Sequence, residues 1–124
     1  MNPLETSCTE AYERLCINAP GEAEGVMATN VLLDVREADE WSAGHASNAI
    51  HTPLGLLDPV ASAATFPAGV TVMCICRSGG RSAKAVEILR AVGVHAINVN
   101  GGMNAWATAN LPMVADGPSS AAVL

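Results

Sequence analysis

The stretch that decides the fold spans residues 70–82 and reads Val-Thr-Val-Met-Cys-Ile-Cys-Arg-Ser-Gly-Gly-Arg-Ser. The apolar run over residues 70–75 predicts a buried strand, and the glycines that follow predict a tight loop beginning with the thiol of Cys76. From Arg81 onward the apolar residues recur at helical spacing, so a helix begins where the loop ends. Such a helix directs its free amides back into the loop, where they lower the pKa of a thiol and bind an anion.

Residues 76–81 therefore combine a candidate nucleophile with an anion-binding loop. Arg77 and Arg81 are two of only six basic residues in a chain whose net charge is −6. Their position beside a thiol indicates a local anion site on an otherwise acidic protein. We predict that Cys76 ionises near neutral pH, because the loop amides, the positive end of the helix and both arginines favour the thiolate.

The composition restricts the classes of protein to which the chain can belong. Its 124 residues, half of them apolar, are the length of one domain and suffice for a hydrophobic core. The net charge of −6 argues against binding to nucleic acids or anionic membranes, which need a basic surface. No apolar run approaches the about 20 residues of a membrane span, and the N-terminus lacks the pattern of a signal peptide. We therefore expect a cytoplasmic protein.

The four cysteines and three histidines are the candidate metal ligands. In a reducing cytoplasm the cysteines are expected to be free thiols. Cys74 lies on the same face of its strand as Cys76, and we interpret it as a small buried hydrophobic residue, with a resolving thiol as the alternative. Neither the cysteines nor the histidines have the spacing of a metal site, so no metal is predicted.

Strands and helices alternate along the chain, which is typical of an α/β domain with a largely parallel sheet. A capping box over residues 7–10 begins the first helix, a loop follows over residues 18–25, and Pro59 interrupts a helical segment over residues 54–64. The tail, residues 114–124, is rich in small residues and is predicted to be flexible. Strands are expected at residues 31–35, 48–51, 70–75 and 96–99, and further helices at residues 36–42, 81–92 and around Trp106.

Two groups of polar residues follow predicted strands. In a sheet of this type ligands bind outside the carboxyl ends of the strands. Cys76 follows one strand and residues 34–36 follow another. The sequence therefore predicts that both groups lie at one edge of the sheet.

Four motifs, in the same order, resemble those of the single-domain rhodanese-like sulfurtransferases. The resemblance covers residues 5–113, which we predict to be a rhodanese-like domain, and it implies a five-stranded, mostly parallel sheet flanked by helices. The chain departs from the family pattern at Ala46-Ser47-Asn48, where Pro-Gly is frequent, and at His51, where asparagine is common. The motifs are Leu32-Leu33-Asp34-Val35-Arg36-Glu37, then Glu40-Trp41 with Gly44-His45 and Ala49-Ile50, then Cys76 to Ser82, and finally Gly101-Gly102-Met103-x-x-Trp106.

The resemblance implies an enzyme in which Cys76 attacks the outer sulfur of thiosulfate, or of a persulfide such as glutathione persulfide. The resulting Cys76 persulfide passes its terminal sulfur to cyanide, to a small thiol or to a protein acceptor, with ping-pong kinetics and without a metal or organic cofactor. The residues expected to bind the substrate are Arg77, Ser78, Gly79, Gly80 and Arg81.

Asp34 and Arg36 are predicted to support the site rather than to react. The family position implies that Asp34 hydrogen-bonds the active loop, and a capping or turn aspartate is the alternative interpretation. Arg36 is interpreted as an ion-pair partner on the rim rather than as a substrate ligand.

Three alternative functions remain to be compared with this sulfurtransferase activity. Cysteine phosphatases and arsenate reductases are the first, but the related phosphatases have five residues between cysteine and arginine, and only four separate Cys76 from Arg81. A smaller loop suits a sulfur atom better than a phosphoryl group. A relay of persulfide between proteins would use the same chemistry at Cys76. A non-catalytic binding module is disfavoured because Cys76 and Arg81 are both present.

Overall fold

The computed structural model describes residues 4–17, 29–118 and 120–124, which contain short strands, five α-helices and one 3-10 turn. The loop expected over residues 18–25 lies outside these ranges. In chain order the elements are β1 (Glu5–Thr6), α1 (Cys8–Ile17), β2 (Asn30–Asp34), α2 (Ala38–Ala43), β3 (His45–Ala46), β4 (Ala49–His51), the 3-10 turn (Leu54–Leu56), α3 (Pro59–Thr65), β5 (Thr71–Ile75), α4 (Gly80–Arg90), β6 (His95–Val99), α5 (Gly102–Thr108) and β7 (Met113–Val114).

Five strands form one sheet in the order β1-β6-β5-β2-β4, and every neighbouring pair is parallel. The predicted α/β fold with a five-stranded, mostly parallel sheet is therefore confirmed. Strand β5 is central, so Leu33 of β2 and Asn98 of β6 lie on either side of Cys74 in register. The loop that begins at Cys76 consequently leaves the middle of the sheet edge, where ligands of such sheets bind.

The buried residues of β5, with Cys76 directly after it, divide between two hydrophobic clusters, one on each face of the sheet. Met73 and Ile75 belong to the cluster that contains the buried residues of α1 and α5. Val72, Cys74 and Cys76 belong to the cluster that contains the buried residues of α4. None of these five side chains is more than 1% exposed. Helices cover both faces of β5, which explains its continuous apolar run.

Pro59 does not interrupt a helix, contrary to the expectation for residues 54–64. It is the first residue of α3, a position at which its missing amide hydrogen removes no intrahelical bond. Asp58 caps this helix, since its Oδ1 accepts hydrogen bonds from the amides of Val60 and Ala61 at 2.9 and 3.2 Å. The residues before the cap form the separate 3-10 turn.

Three strands of two residues each, β1, β3 and β7, were not predicted. Strand β1 extends the main sheet beside β6. Strands β3 and β7 form a separate antiparallel pair, in which His45 lies opposite Val114 and Ala46 opposite Met113. Two residues are too few to establish a periodic pattern, so sequence spacing gives no signal for such strands.

The tail packs against α2 and β3 beyond residue 113. The amide of Asp116 donates to the carbonyl of Ser42 at 3.0 Å, and the amide of Ala122 donates to the carbonyl of Ala43 at 2.9 Å. A Cβ built on Gly44 would lie 2.5 Å from the carbonyl oxygen of Ala122, so this approach requires glycine. Residues beyond 113 therefore contact the domain, while the domain boundary at residue 113 and the flexibility of residues 114–124 stay predictions.

Candidate active site

The thiol of Cys76 lies at the carboxyl end of β5, where the chain turns into the loop before α4. Its Sγ accepts a hydrogen bond from the amide of Gly79 at 3.1 Å and lies 3.3 Å from the hydroxyl oxygen of Ser82. Cys76 is only 1% exposed. The loop therefore surrounds the sulfur with hydrogen-bond donors in place of bulk water.

The hydrogen bonds of the loop favour the thiolate form of Cys76. Burial by itself raises the pKa of this thiol, because the charged form loses its hydration. Hydrogen bonds from the hydroxyl and amide of Ser82, and from the amides of Gly79 and Ser78, act in the opposite direction and outweigh burial. The pKa of Cys76 consequently lies below its ordinary value of 9.0. A thiolate is the nucleophilic form of cysteine.

The surroundings of the neighbouring Cys74 favour its protonated thiol form. It is fully buried two residues before Cys76, and burial raises its pKa to about 12, with a smaller contribution from the charge of Cys76. These properties match the interpretation of Cys74 as a buried hydrophobic residue and leave it without nucleophilic character at neutral pH.

The two loop glycines have different conformations. Gly79 has a φ of 124°, which side-chain-bearing residues rarely adopt. Gly80 is the first residue of α4, one residue before the predicted helix start. Only Gly79 therefore needs the freedom of glycine, and its amide is the one that donates to the sulfur of Cys76.

The first residues of α5 donate backbone hydrogen bonds to the active loop. The amide of Met103 donates to the carbonyl of Cys76 at 2.8 Å, and the amide of Asn104 donates to the carbonyl of Arg77 at 3.0 Å. Gly102 has a φ of 57°, and a Cβ built on it would overlap the carbonyl of Cys76 and lie 2.6 Å from the carbonyl carbon of Arg77. The second glycine of the Gly-Gly motif is therefore required for direct contact with the active loop.

Arg81 is held by a carboxylate that sequence reasoning did not assign to the site. Its Nη1 and Nη2 donate to Oε1 and Oε2 of Glu40 at 2.6 and 2.8 Å. Glu40 also accepts from the amide of Glu37 as part of the capping box of α2. The next residue, Trp41, stacks on His45 with ring centroids 3.5 Å apart. Arg81 thus joins the loop to α2, and its positive charge is already paired with the carboxylate of Glu40.

The Glu40–Arg81 pair should contribute to stability in a pH-dependent way. The hydrogen bond from Arg81 lowers the pKa of Glu40 from 4.5 to about 2. Because the folded pKa lies below the ordinary one, the contribution is fully present above pH 4.5 and is lost as the pH falls through 2. We expect Glu40→Gln to lower the free energy of unfolding by about 1 kcal/mol at neutral pH. The difference, measured by urea unfolding, should shrink as the pH is lowered from 4.5.

Glu87→Gln is the matched control, because it removes an exposed pair with Lys84 whose atoms are 3.6 Å apart. Its effect should be close to zero at every pH. A Glu40→Gln effect that does not change between neutral pH and the acid limit would contradict this role of the pair.

Arg77 and Ser78 form the outer part of the loop. Both are exposed, and Arg77 makes no ion pair with any residue in the part of the chain that the structure describes. Arg77 is therefore available to an incoming anion, whereas Arg81 is already paired. The sequence predicts the same anion-binding role for both arginines, but in the folded protein only Arg81 is paired with a carboxylate of the described residues.

Asp34 and Arg36 form a fully buried ion pair next to the site. Arg36 Nη2 donates to Asp34 Oδ2 at 2.8 Å and to the carbonyl of Gly44 at 2.7 Å. The amide and Nε of Arg36 also donate to the carboxylate at 3.0 Å. Within the described residues, the Asp34 side chain makes no hydrogen bond to the active loop, contrary to the expectation for this residue. The pair joins β2 to the start of β3 and lies beneath the surface rather than on the rim.

Sequence reasoning did not assign Ser82, which contacts Cys76, or Asn98, which contacts Ser82, to the site. Ser82 is fully buried, and its hydroxyl lies beside the sulfur. Asn98 of β6 contacts the same hydroxyl at 2.6 Å. The sequence signal for this contact was Asn98 itself, a polar residue among apolar neighbours at the end of β6 nearest the site.

No group of three or more histidine, cysteine or acidic residues within residues 4–17, 29–118 and 120–124 could hold a metal ion. His45 and His51 both stack against Trp41 instead. In the same ranges no helix is both long and apolar enough to cross a membrane.

Comparison with known proteins agrees with the α/β fold built on a parallel sheet. Residues 19–109 match the rhodanese-like domain, so the chain belongs to the rhodanese-like family. It is 39% identical over 85 residues to the uncharacterized protein slr1261 of Synechocystis, of which it spans only 46%. It is 34% identical to the chloroplastic thiosulfate sulfurtransferase 16 of Arabidopsis thaliana, covering 89% of this chain and 92% of that protein.

Among solved structures, a rhodanese-related protein from Thermoplasma volcanium superposes with a TM-score of 0.69 at 26% identity. The match covers 89% of this chain and 96% of that one. The described fold is therefore the rhodanese-like fold over nearly its full extent.

Proposed function

We propose that the protein is a sulfurtransferase in which Cys76 carries sulfur as a persulfide. The observation that carries the proposal is the sulfur of Cys76, held at the end of β5 by the amide of Gly79 and the hydroxyl of Ser82, with a pKa below its ordinary value. A similar protein from Arabidopsis bears the name thiosulfate sulfurtransferase. Thiosulfate and small persulfides are the donors that this chemistry suits.

The first step loads the cysteine. The Cys76 thiolate attacks the outer sulfur of thiosulfate, the sulfur–sulfur bond of thiosulfate breaks, and sulfite leaves with the bonding electron pair. With a persulfide donor the leaving group is a thiolate. The product is Cys76–S–S⁻, and no external oxidant or reductant is needed.

The second step transfers the terminal sulfur from Cys76 to the acceptor. Cyanide or a thiolate attacks the terminal sulfur, the sulfur–sulfur bond to Cys76 breaks, and Cys76 leaves as a thiolate. The products are thiocyanate or a new persulfide. The thiolate that begins the cycle is regenerated, so the kinetics should be ping-pong.

The loop residues bind charge in both steps. The amides of Ser78, Gly79 and Gly80 donate to the terminal sulfur or to sulfonate oxygens. Arg77, exposed and without an ion-pair partner among the described residues, attracts the anionic donor. Arg81 shapes the loop through Glu40, and the buried Asp34–Arg36 pair holds the neighbouring segment in place.

The acceptor can be a small molecule or another protein. We propose a cytoplasmic location, because a free thiol of this kind persists where thiols are kept reduced. Rapid loading followed by slow unloading with cyanide, glutathione and thioredoxin alike would assign the protein to relay toward a dedicated protein acceptor. Rapid unloading with a small acceptor would assign it to free sulfur transfer.

The test uses purified protein with thiosulfate or glutathione persulfide as donor and cyanide as acceptor. We expect stoichiometric sulfite release from thiosulfate and continuous thiocyanate formation from both donors. Absence of both products would overturn the proposal. Hydrolysis of p-nitrophenyl phosphate without formation of sulfite or thiocyanate would favour the phosphatase alternative. The four-residue spacing between Cys76 and Arg81 disfavours that alternative.

A further inference from the structure

The hydroxyl of Ser82 has one proton and three acceptors within reach. Its Oγ lies 2.6 Å from Oδ1 of Asn98, 3.2 Å from the carbonyl oxygen of Gly79 and 3.3 Å from Sγ of Cys76. A hydroxyl donates only one hydrogen bond at a time. The three acceptors therefore compete, and the shortest of the three distances belongs to Asn98.

Constraints other than the contact with Asn98 also hold the Ser82 oxygen in place. Ser82 lies in the first turn of α4, three residues after Gly79, so its Oγ is within reach of that carbonyl by helix geometry. The side chain is also fully buried. Asn98 is held independently on β6, where it lies beside Cys74 in register and donates from Nδ2 to the carbonyl of Gly79 at 3.2 Å. What Asn98 can change is the direction in which the hydroxyl proton points.

We propose that Asn98 is a positioning residue for the reaction at Cys76, because its Oδ1 competes with Sγ for the hydroxyl proton of Ser82. The inference rests on the proposed role of Cys76 as the nucleophile. In the thiol form Sγ carries its own proton, so the hydroxyl donates to Asn98. In the thiolate form the hydroxyl turns to the negatively charged sulfur, which is the stronger acceptor.

The same competition operates during sulfur transfer. When Cys76 carries a second sulfur, the negative charge lies mainly on the terminal atom, and Sγ becomes a weaker acceptor. The hydroxyl then returns to Asn98. When the acceptor removes the terminal sulfur, Sγ becomes a thiolate again and regains the proton of Ser82 as a hydrogen bond. No covalent bond to hydrogen breaks in this exchange.

The other groups that act electrostatically on Cys76 are not altered by a change at Asn98. Cys74 lies two residues before it on β5, and Arg81 lies on α4 in its pair with Glu40. On α5, the contacts to the loop are the amides of Met103 and Asn104, which carry no charge. A shift in the titration of Cys76 caused by substituting Asn98 would therefore be transmitted through Ser82 or through the Gly79 carbonyl.

The test is a double-mutant cycle on the rate of Cys76 alkylation by iodoacetamide as a function of pH, with the other thiols distinguished by peptide mass. Asn98→Val removes the competing oxygen and keeps a residue suited to a strand. Its alkylation midpoint should fall by about half a pH unit. Ser82→Ala should raise the midpoint. Asn98→Val in the Ser82→Ala background should leave the midpoint where Ser82→Ala alone places it.

The cycle also separates the effect of Ser82 from that of the hydrogen bond between Asn98 Nδ2 and the Gly79 carbonyl. Asn98→Val removes that hydrogen bond equally in the unchanged and the Ser82→Ala backgrounds. An unchanged or raised midpoint in Asn98→Val, or an equal shift with and without Ser82, would overturn the proposal. Asn98→Ala serves as the second variant if the valine protein does not fold. Alkylation requires no sulfur donor, so a failure here is distinct from failure of the proposed sulfurtransferase activity.

Discussion

Cys76→Ser is expected to reduce thiocyanate formation by at least about a thousandfold while the fold is retained. The serine hydroxyl fits the same space and can accept the hydrogen bond from the amide of Gly79. It does not ionise near neutral pH, however, and an alcohol forms no persulfide. The measurement is kcat/KM for thiosulfate, with thermal unfolding of both proteins recorded in parallel.

Cys16→Ser is the matched control, because Cys16 is an exposed thiol near the end of α1 and makes none of the hydrogen bonds described for the loop. It should retain the activity of the unchanged protein. A Cys76→Ser protein that keeps more than a small fraction of the rate, or a Cys16→Ser protein that loses it, would place the chemistry elsewhere.

Gly102→Ala should have the second largest effect, on both stability and reactivity. The new methyl group would overlap the carbonyl of Cys76, and the φ of 57° is itself unfavourable for alanine. The carbonyls of Cys76 and Arg77 must move, and with them the hydrogen bonds from the amides of Met103 and Asn104. We expect a loss of about 2–4 kcal/mol in the free energy of unfolding. In the fraction that folds, sulfite release on loading should be slowed at least tenfold.

Gly93→Ala separates backbone strain from the contact with the loop. Gly93 has a φ of 86°, but a Cβ there would meet no atom within 4 Å. This variant should lose only about 1 kcal/mol and should load at the normal rate. If Gly102→Ala were no more harmful than Gly93→Ala, the proposed support of the loop by α5 would be wrong.

The sequence was sufficient to predict the part of the site that is local. The apolar run of β5, the thiol that follows it and the start of α4 lie within residues 70–82, and their patterns predict a strand, a loop and a helix. The alternation of elements predicted the parallel sheet, because a parallel connection needs a crossover. That prediction did not require knowledge of any side-chain contact.

The contacts that tune the site join residues far apart in the chain, and no local pattern reports them. Glu40 and Arg81 are separated by 41 positions, and Ser82 and Asn98 by 16. Asp34 was expected to reach the active loop, but its carboxylate is occupied by Arg36, only two residues away. Which partner a buried charge takes depends on the packing of whole elements, and spacing does not specify that packing.

The central claim is that Cys76 carries sulfur covalently, and the mass of the protein tests it most directly. Protein incubated with thiosulfate and freed of excess donor should gain the mass of one sulfur atom, located by peptide mapping on Cys76. The added mass should disappear on treatment with cyanide and should not form in Cys76→Ser. No added sulfur from either thiosulfate or glutathione persulfide, or an adduct that persists in Cys76→Ser, would contradict the account.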